Sequence, residues 1–466
     1  MPTLTAGFAQ VDITPPIGVG MSGYGSRTKP ADGINDPLIA QALVLSSGEQ
    51  AAAIVCMDNI GLNWDMVCAA RERAEVASGI PEGNIVIAGS HTHWGPMTSG
   101  GKYMPEYLRA TISEEYNETL VAALARIVAE ANSSRVEVVA GIGSGFSDLV
   151  TFNRRVGAPD LSTLWIAAMP PERAIIASRE GNRLAREWRR GEHRGPRLSA
   201  PIAELDGNRV GPADGEVGLL RLETLDGMPL AGLVNFACHA VCGGDEETFY
   251  SWSADWPGQA RAAFSSLLGG PMMFAAGCSG DQVPRWRQGN SRERVGKSVG
   301  AEAAHVWWGI DENSGDLPLG VTRRSIELPP NTRVPSLAQA QANLAAKPDP
   351  EGSDAQWERA CVMLAEEIEA GLAAEVWAMR LGDLGIIGLP GEPLTEIGLQ
   401  IKQRSPFAHT MVVSLANGAM AYFPTDDAIH AGGYEAEWSP VGLGTERMLV
   451  ETGLDLLRDL YGRGEG

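Results

Sequence analysis

The sequence has no run approaching ~20 consecutive apolar residues, the length a helix needs to cross a bilayer, so no membrane-spanning helix is expected. It is short of positive charge, with 37 Lys and Arg against 58 Asp and Glu and a formal net charge of −21. No overall basic field is available to draw in a nucleic acid or an anionic membrane, and the acidic surplus reads as solubility. Cysteine is scarce. The six present (Cys56, Cys68, Cys238, Cys242, Cys278 and Cys361) lack the tight pairing of a zinc finger, so buried free thiols are expected. Gly18, Gly20, Gly23 and Gly25 open no helical pattern, which excludes a nucleotide-binding fingerprint and leaves a flexible or close-approach loop. No internal repeat or low-complexity linker is present. The opening residues, Met1-Pro2-Thr3-Leu4-Thr5-Ala6, lack a basic segment followed by an apolar one. No secretory leader is read there, and a cytoplasmic location is expected.

What is present is the make-up of an ordinary globular protein. The chain has 466 residues, 44% hydrophobic and 20% charged, enough to bury a large core and, by length alone, two to four domains. Strands are expected at 38–46, 51–58, 85–90, 136–144, 217–223, 230–237, 271–276, 320–328, 374–381, 384–389 and 410–416. Helices are expected at 63–79, 107–132, near 171–190, 259–268, 291–308, from about 394, and near 445–460. Residues 336–371 carry helical periodicity interrupted at Pro348–Gly352, and Phe152–Arg155 reads as a loop. The alternation predicts an α/β fold of layered sheets and helices, with site residues at strand ends.

One stretch stands apart: Ile85-Val86-Ile87-Ala88-Gly89-Ser90-His91-Thr92-His93-Trp94-Gly95-Pro96. If the strand persists through the histidines, residues i and i+2 project to one face and both imidazoles enter one volume. Imidazoles at a strand end suit the start of a metal site; a pair of loop histidines bound to backbone is the plainer alternative. Four further stretches end a strand in polar residues and small turn-formers: Asn235–His239, Gly277–Asp281, Gly388–Pro393 and Asn417–Thr425. Taken alone, His239 reads also as a satisfied core histidine, Glu392 as the acid of a helix N-terminus, and Tyr422 as a core or rim tyrosine.

Together, in this order, these motifs resemble the neutral (non-lysosomal) ceramidase family. The matching features are Asp12-Ile13-Thr14, Ser90-His91-Thr92-His93 with Gly95-Pro96, His239, Gly280-Asp281, Pro390-Gly391-Glu392, and Tyr422 with Tyr434-Glu435 behind it. The resemblance spans most of the chain. It implies one catalytic domain over 1–466 with a surface insertion near 156–215. It also implies one Zn²⁺ held by His91, His239, Glu392 and Tyr422, with His93 close by. Two imidazoles, a carboxylate and an oxygen ligand suit zinc on chemical grounds as well.

The expected activity is zinc-dependent hydrolysis of a small-molecule substrate, with metal-activated water attacking an N-acyl amide bond. The catalytic candidates are His93 and Asp281 (proton transfer, or orientation of a ligand histidine), Tyr422 (a ligand or an oxyanion partner) and Arg154. Arg154 and Arg155 are candidates for binding an acidic or carbonyl group, and Trp94, Trp252, Trp256, Trp286 and Trp438 for paving a pocket. Two other readings stay open: a metal enzyme acting on a carbohydrate or ester, and a metal-binding homologue without turnover. The chain departs from the family in two places. The family's serine, in a Gly-Asp-Val-Ser-Pro context, is replaced by Val283 in Gly280-Asp281-Gln282-Val283-Pro284, with Ser279 the nearest hydroxyl. The family's immunoglobulin-like domain is not expected after the last catalytic motif.

Overall fold

A computed structural model describes residues 3–99, 106–160, 162–166, 168–192, 197–243 and 245–462. The apolar runs form one eight-stranded sheet from β1 (Leu4–Asp12), β2 (Ile39–Ser47), β3 (Gln50–Met57), β4 (Ile85–Gly89), β5 (Val136–Phe146), β6 (Glu216–Thr224), β7 (Pro229–Phe236) and β8 (Met272–Ala276). A four-stranded sheet follows from β9 (Leu319–Glu327), β10 (Ala373–Leu381), β11 (Leu384–Gly388) and β12 (His409–Val413). The main helices are α1 (Trp64–Ser78), α2 (Glu114–Ser133), α3 (Pro171–Arg189), α4 (Asp255–Leu268), α5 (Ser291–Gly309), α6 (Thr395–Arg404) and α7 (Thr445–Gly462). The expectation of an α/β layered fold holds.

The spatial order of the large sheet is β8-β7-β6-β5-β1-β2-β3-β4. Its inner pairs are antiparallel and its outermost pairs, β3–β4 and β7–β8, are parallel. Parallel neighbours need a crossover, and a helix usually supplies it; α1 and α4 do so here. Asn63 caps α1 by accepting from Met66 N at 3.0 Å, and Gly79 ends it in the left-handed region.

Four layers result. Leu43, Leu45, Val86, Leu220 and Met273 of the large sheet pack against Trp377, Met379, Ile386 and Met411 of the small one. On the outer face of the large sheet, α1 and α2 bury Val67, Leu120 and Leu124, while α4 and α5 bury Trp256, Phe264 and Val299. On the outer face of the small sheet, α6 and α7 bury Ile397, Ile401, Leu449 and Leu457.

The large sheet curls until its two edges touch, β8 meeting β3 and β4. The segment leaving β12 fastens that seam. Ser414 N donates to Ala276 O at 2.8 Å on one edge, and Asn417 N donates to Ile87 O at 2.8 Å on the other. Asn417 Oδ1 accepts from Ile87 N at 2.9 Å, and its Nδ2 donates to Glu375 Oε1 at 3.0 Å. Glu375 in turn holds the buried Arg71 at 2.9 Å.

Two local expectations need correction. Phe152–Arg155 is not a loop: Thr151–Asn153 pairs with Gln282–Pro284, and Arg155–Gly157 pairs with both Thr163–Trp165 and Arg209–Val210. Strands of three residues are too short to show a period, so only long-range pairing reveals them. The helix expected at 107–132 begins at Glu114, where Ser113 accepts from Tyr116 N at 3.1 Å. In the 156–215 stretch, α3 buries Ala174, Ala177, Leu184 and Ala185 and packs on α6 and on Thr151–Asn153.

The first turn of α6 carries a buried acid with a consequence for stability. Burial pushes the Glu396 carboxyl from its ordinary 4.5 up to about 7, with Arg197 opposing and Asp281 and Glu446 adding to the rise. Between those values the folded chain binds more proton than the unfolded one, so this contribution is full below pH 4.5 and is lost as pH rises through 7. The Glu396→Gln variant should therefore gain on the parent by about 1–3 kcal/mol between pH 5 and 8. Urea unfolding at both pH values measures this; a constant difference between the two proteins refutes it.

Candidate metal centre

β4 ends at Gly89, two residues before the first histidine, and His91 has a left-handed φ of 61°. Strand alternation therefore does not bring the two imidazoles together. A turn does, and its backbone bonds fix it: His91 N donates to Asn59 O at 2.9 Å, and His93 N donates to Ala240 O at 3.2 Å. Such a conformation costs a non-glycine residue free energy and persists where its surroundings over-determine it. His239 follows β7 by three residues, and its N donates to Gln282 O at 3.0 Å. Glu392 lies just beyond β11 in a two-residue strand paired in parallel with Tyr422–Phe423, with Glu392 directly opposite Tyr422.

The imidazoles converge. His91 and His239 have ring centroids 4.7 Å apart, and His91 and His93 4.9 Å apart. One ligand atom from each of the three histidines lies within 4.8 Å of the others. Glu392 Oε2 is 3.1 Å from His91 Nε2 and 3.3 Å from His239 Nε2.

The tautomers follow from the partners. His91 Nδ1 lies 3.0 Å from Ile60 O, and His239 Nδ1 lies 2.6 Å from Ser279 O and 3.2 Å from Gln282 O. A backbone carbonyl can only accept, so both Nδ1 atoms carry hydrogen and each neutral ring points a bare Nε2 lone pair inward. Two nitrogen lone pairs and a carboxylate oxygen thus face one another with no donor of their own, and the adjacent His93 Nε2, 3.3 Å from His91 Nε2, is the ring nitrogen placed to donate to it; His239 Nε2 and Glu392 Oε2 are both buried without a hydrogen-bond partner.

Electrostatics keep His239, His93 and Glu392 in the ligating form, with His91 the exception. Burial, with Arg154 and His91 adding, pushes His239 down to about 4. Burial and the two neighbouring imidazoles hold His93 well below the ordinary histidine value. Burial opposes charge on His91 too, but the Glu392 carboxylate outweighs it and moves His91 up. Glu392 is disfavoured by burial, yet His91 and His239 hold its carboxyl well below the usual range. A proton on His91 satisfies part of this set. A divalent cation satisfies all of it, and the donor chemistry fits such an ion.

The remaining candidates sit around this cluster. Arg154, only 5% exposed, donates to Tyr422 Oη at 3.1 Å, to Glu435 Oε1 at 2.8 Å and to Gly280 O at 2.7 Å. Arg155 is held by the other Glu435 oxygen at 2.6 Å, so it braces Glu435 rather than facing a ligand. Burial and Glu392 raise the Tyr422 phenol well above its ordinary value, so it stays protonated.

Asp281 does not orient a histidine. Thr395 N and Thr395 Oγ1 bond its Oδ1 at 2.9 and 2.7 Å, and Asn153 Nδ2 bonds its Oδ2 at 2.8 Å. The orienting of His239 falls instead to the backbone carbonyls of Ser279 and Gln282. Val283 is fully buried, paired opposite Phe152 in a short ladder. Of the tryptophans, Trp94, Trp252 and Trp256 are wholly interior and pave no pocket; Trp256 Nε1 donates to His239 O at 3.0 Å.

Sequence reasoning missed Tyr24, Arg27 and the carbonyl of Ile60. Tyr24 meets the His93 ring at 5.1 Å, and Arg27 Nη1 donates to His93 O at 2.7 Å. The glycine-rich loop was the available signal, and it proves to be a close approach. Gly23 has φ +97°, and a Cβ there would lie 2.5 Å from His93 Cβ.

No family model and no curated protein matches this sequence. Two solved structures share its fold. The neutral ceramidase of Pseudomonas aeruginosa superposes with a TM-score of 0.72 at 17% identity, over 99% of this chain and 75% of that one. A ceramidase complexed with C2 gives 0.72 at 16%, over 99% and 76%. The chain therefore has a ceramidase-like fold, as the motif order implied.

Gly23→Ala should destabilise the protein by about 1–3 kcal/mol through overpacking against His93. Thermal unfolding checks this; an unchanged midpoint would show that the loop yields freely.

Proposed function

We propose that this chain is a zinc-dependent hydrolase of the neutral ceramidase type that cleaves an N-acyl amide bond in a small-molecule substrate. The observation that carries the reading is the meeting of the His91 and His239 Nε2 lone pairs with Glu392 Oε2, without a donor among them. The ceramidase-like fold supports it.

His91, His239 and Glu392 would hold the ion, with Tyr422 as the fourth ligand. A bound Zn²⁺ supplies Lewis-acid polarisation of a carbonyl and acidification of water. The carbonyls of Ile60, Ser279 and Gln282 fix the two ligating imidazoles in one tautomer, the usual task of groups behind metal-bound histidines. Arg154 directs a positive charge at Tyr422 Oη, 3.1 Å away. With its oxygen accepting that bond, Tyr422 either completes the ligand set or keeps its own proton to donate to an oxygen that gains negative charge. His93, with its Nε2 3.3 Å from that of His91, is the group placed to pass a proton to or from the centre.

No side-chain nucleophile is required. Val283 has no hydroxyl, and the contribution of Ser279 is its backbone carbonyl, which every residue has. Asp281 acts as a tie between the Gly280 loop and the start of α6, not as an acid or base.

Protein purified without chelators should hold about one zinc per chain by elemental analysis, and His91→Ala and His239→Ala should each lose it. A panel of N-acyl amides, esters and glycosides should show amide cleavage that EDTA removes and zinc restores. Cleavage that ignores EDTA, or cleavage of esters or glycosides alone, defeats the reading. Ser279→Ala should keep most of the activity and its zinc. Asp281→Asn should lose about 1–3 kcal/mol of stability, because one of its accepting oxygens becomes a donor facing donors. A covalent acyl group trapped on Ser279 would overturn the direct-water mechanism.

A further inference from the structure

Beside the histidine cluster lies a pocket of about 490 Å³ whose walls include Tyr24, Met169, Phe249, Arg285, Trp286 and Arg287. Tyr24 belongs to both sites, since its ring meets His93 at 5.1 Å. The walls offer mostly apolar surface, suited to an aliphatic or aryl body. The two arginines differ in what they do. Arg287 is a strut: its Nε donates to Val241 O and its Nη2 to Tyr24 Oη, both at 3.1 Å. Arg285 has no such duty. Its backbone N is fixed to Val150 O at 2.8 Å, and its guanidinium carbon stands 3.9 Å from the Trp286 ring centroid. Its Nε and Nη1 are buried and have no hydrogen-bond partner.

This arrangement runs against the rest of the molecule. In a chain with 58 acids and 37 bases, no acid pairs with Arg285 among the described residues. Its charged neighbours are of its own sign. Arg294 lies 4.0 Å from the same Trp286 ring, and Arg179 is close enough to join burial and Arg294 in lowering the Arg285 guanidinium from its ordinary value. A guanidinium stacked on an indole keeps its N–H edge in one plane, the geometry that grips a carboxylate or phosphate with two hydrogen bonds. Each of the two bidentate edges of Arg285, Nε–Nη2 and Nη1–Nη2, includes one of its partnerless nitrogens; leaving them unpaired in a half-buried wall is costly, and an anion on either edge reduces the cost.

We infer that this pocket binds an organic anion, with Arg285 gripping the carboxylate or phosphate oxygens and Tyr24, Met169 and Phe249 enclosing the apolar body. Combined with the hydrolase reading, on which only this extension rests, the substrate class becomes an N-acyl compound bearing a negative charge. The anion site itself stands on Arg285 and is tested without turnover.

The test is titration calorimetry on the full chain with octanoate, octyl phosphate and octanol, before and after dialysis against EDTA. At least one of the two anions should bind about tenfold or more tightly than octanol, as one charge-assisted bidentate pair allows. The stronger of the two identifies the headgroup. The preference should survive EDTA, fall about tenfold in Arg285→Met, and be partly kept in Arg285→Lys, which retains the charge but not the fork. Three results overturn the inference: octanol binding as well as both anions, Arg285→Met keeping the full preference while folded, or a preference that EDTA abolishes and Arg285→Met does not. The last would place the anion on the metal. Absence of any hydrolysis leaves these outcomes intact and counts only against the enzymatic reading.

Discussion

Three acceptor atoms pointed at one another are an unstable arrangement unless a positive charge sits among them. Glu392 Oε2 lies 3.1 Å from His91 Nε2 and 3.3 Å from His239 Nε2, and the opposite nitrogen of each histidine is committed to a backbone carbonyl. Much of the surrounding structure serves to hold that juxtaposition. The carbonyls of Ile60 and Ser279 choose the tautomer. The close packing of Gly23 and the bond from Arg27 position His93. Arg154, braced by Glu435, adds a positive charge at Tyr422 on the Glu392 side.

The curl of the large sheet makes this possible. His91 follows one edge of the sheet and His239 follows the strand next to the other edge, so a flat sheet would hold them a full sheet width apart. Contact between β8 and β4 closes that distance, and residues 414–417 bond to both edges. Departures from ordinary backbone geometry gather at the seam: His91, Leu415 and Asn417 all have positive φ. Each is a non-glycine residue in a sparsely populated region, which a structure tolerates where many bonds determine it. Asn417 shows how, with its backbone N and side chain together making three of the seam's hydrogen bonds.

Below that seam the 280–284 segment is fixed by its own side chains and by pairing with Thr151–Asn153. Val283 packs against Phe152 with no exposure, and Gln282 Oε1 accepts from Asp214 N at 2.7 Å. Asp281 accepts bonds from Thr395 and Asn153, tying this loop to the start of α6 and to the Thr151–Asn153 strand. These side chains hold the segment, and the carbonyl of Gln282 reaches both His239 N and His239 Nδ1.

Much was legible in the amino-acid order. The long strands and helices showed their own periods, because burial of one face imposes a local repeat. Part of the cluster was legible as an ordered series of strand-end motifs: His91, His239 and Glu392 were named from the family resemblance, and the structure brings them together. Three-residue strands such as Thr151–Asn153 were not, since their pairing is wholly long-range. The partners of Asp281 were hidden for the same reason, lying 114 and 128 residues away in the chain. Tyr24 and Arg285 were also silent, because an aromatic or an arginine carries no sign in sequence of what it will face. The residue types able to hold a metal were determined by the sequence itself. Which lone pairs meet, in which tautomer and beside which unpaired guanidinium, was decided only when the sheet curled and its edges closed. Electrostatics and hydrogen bonding depend on distances of a few ångströms that chain order alone does not contain.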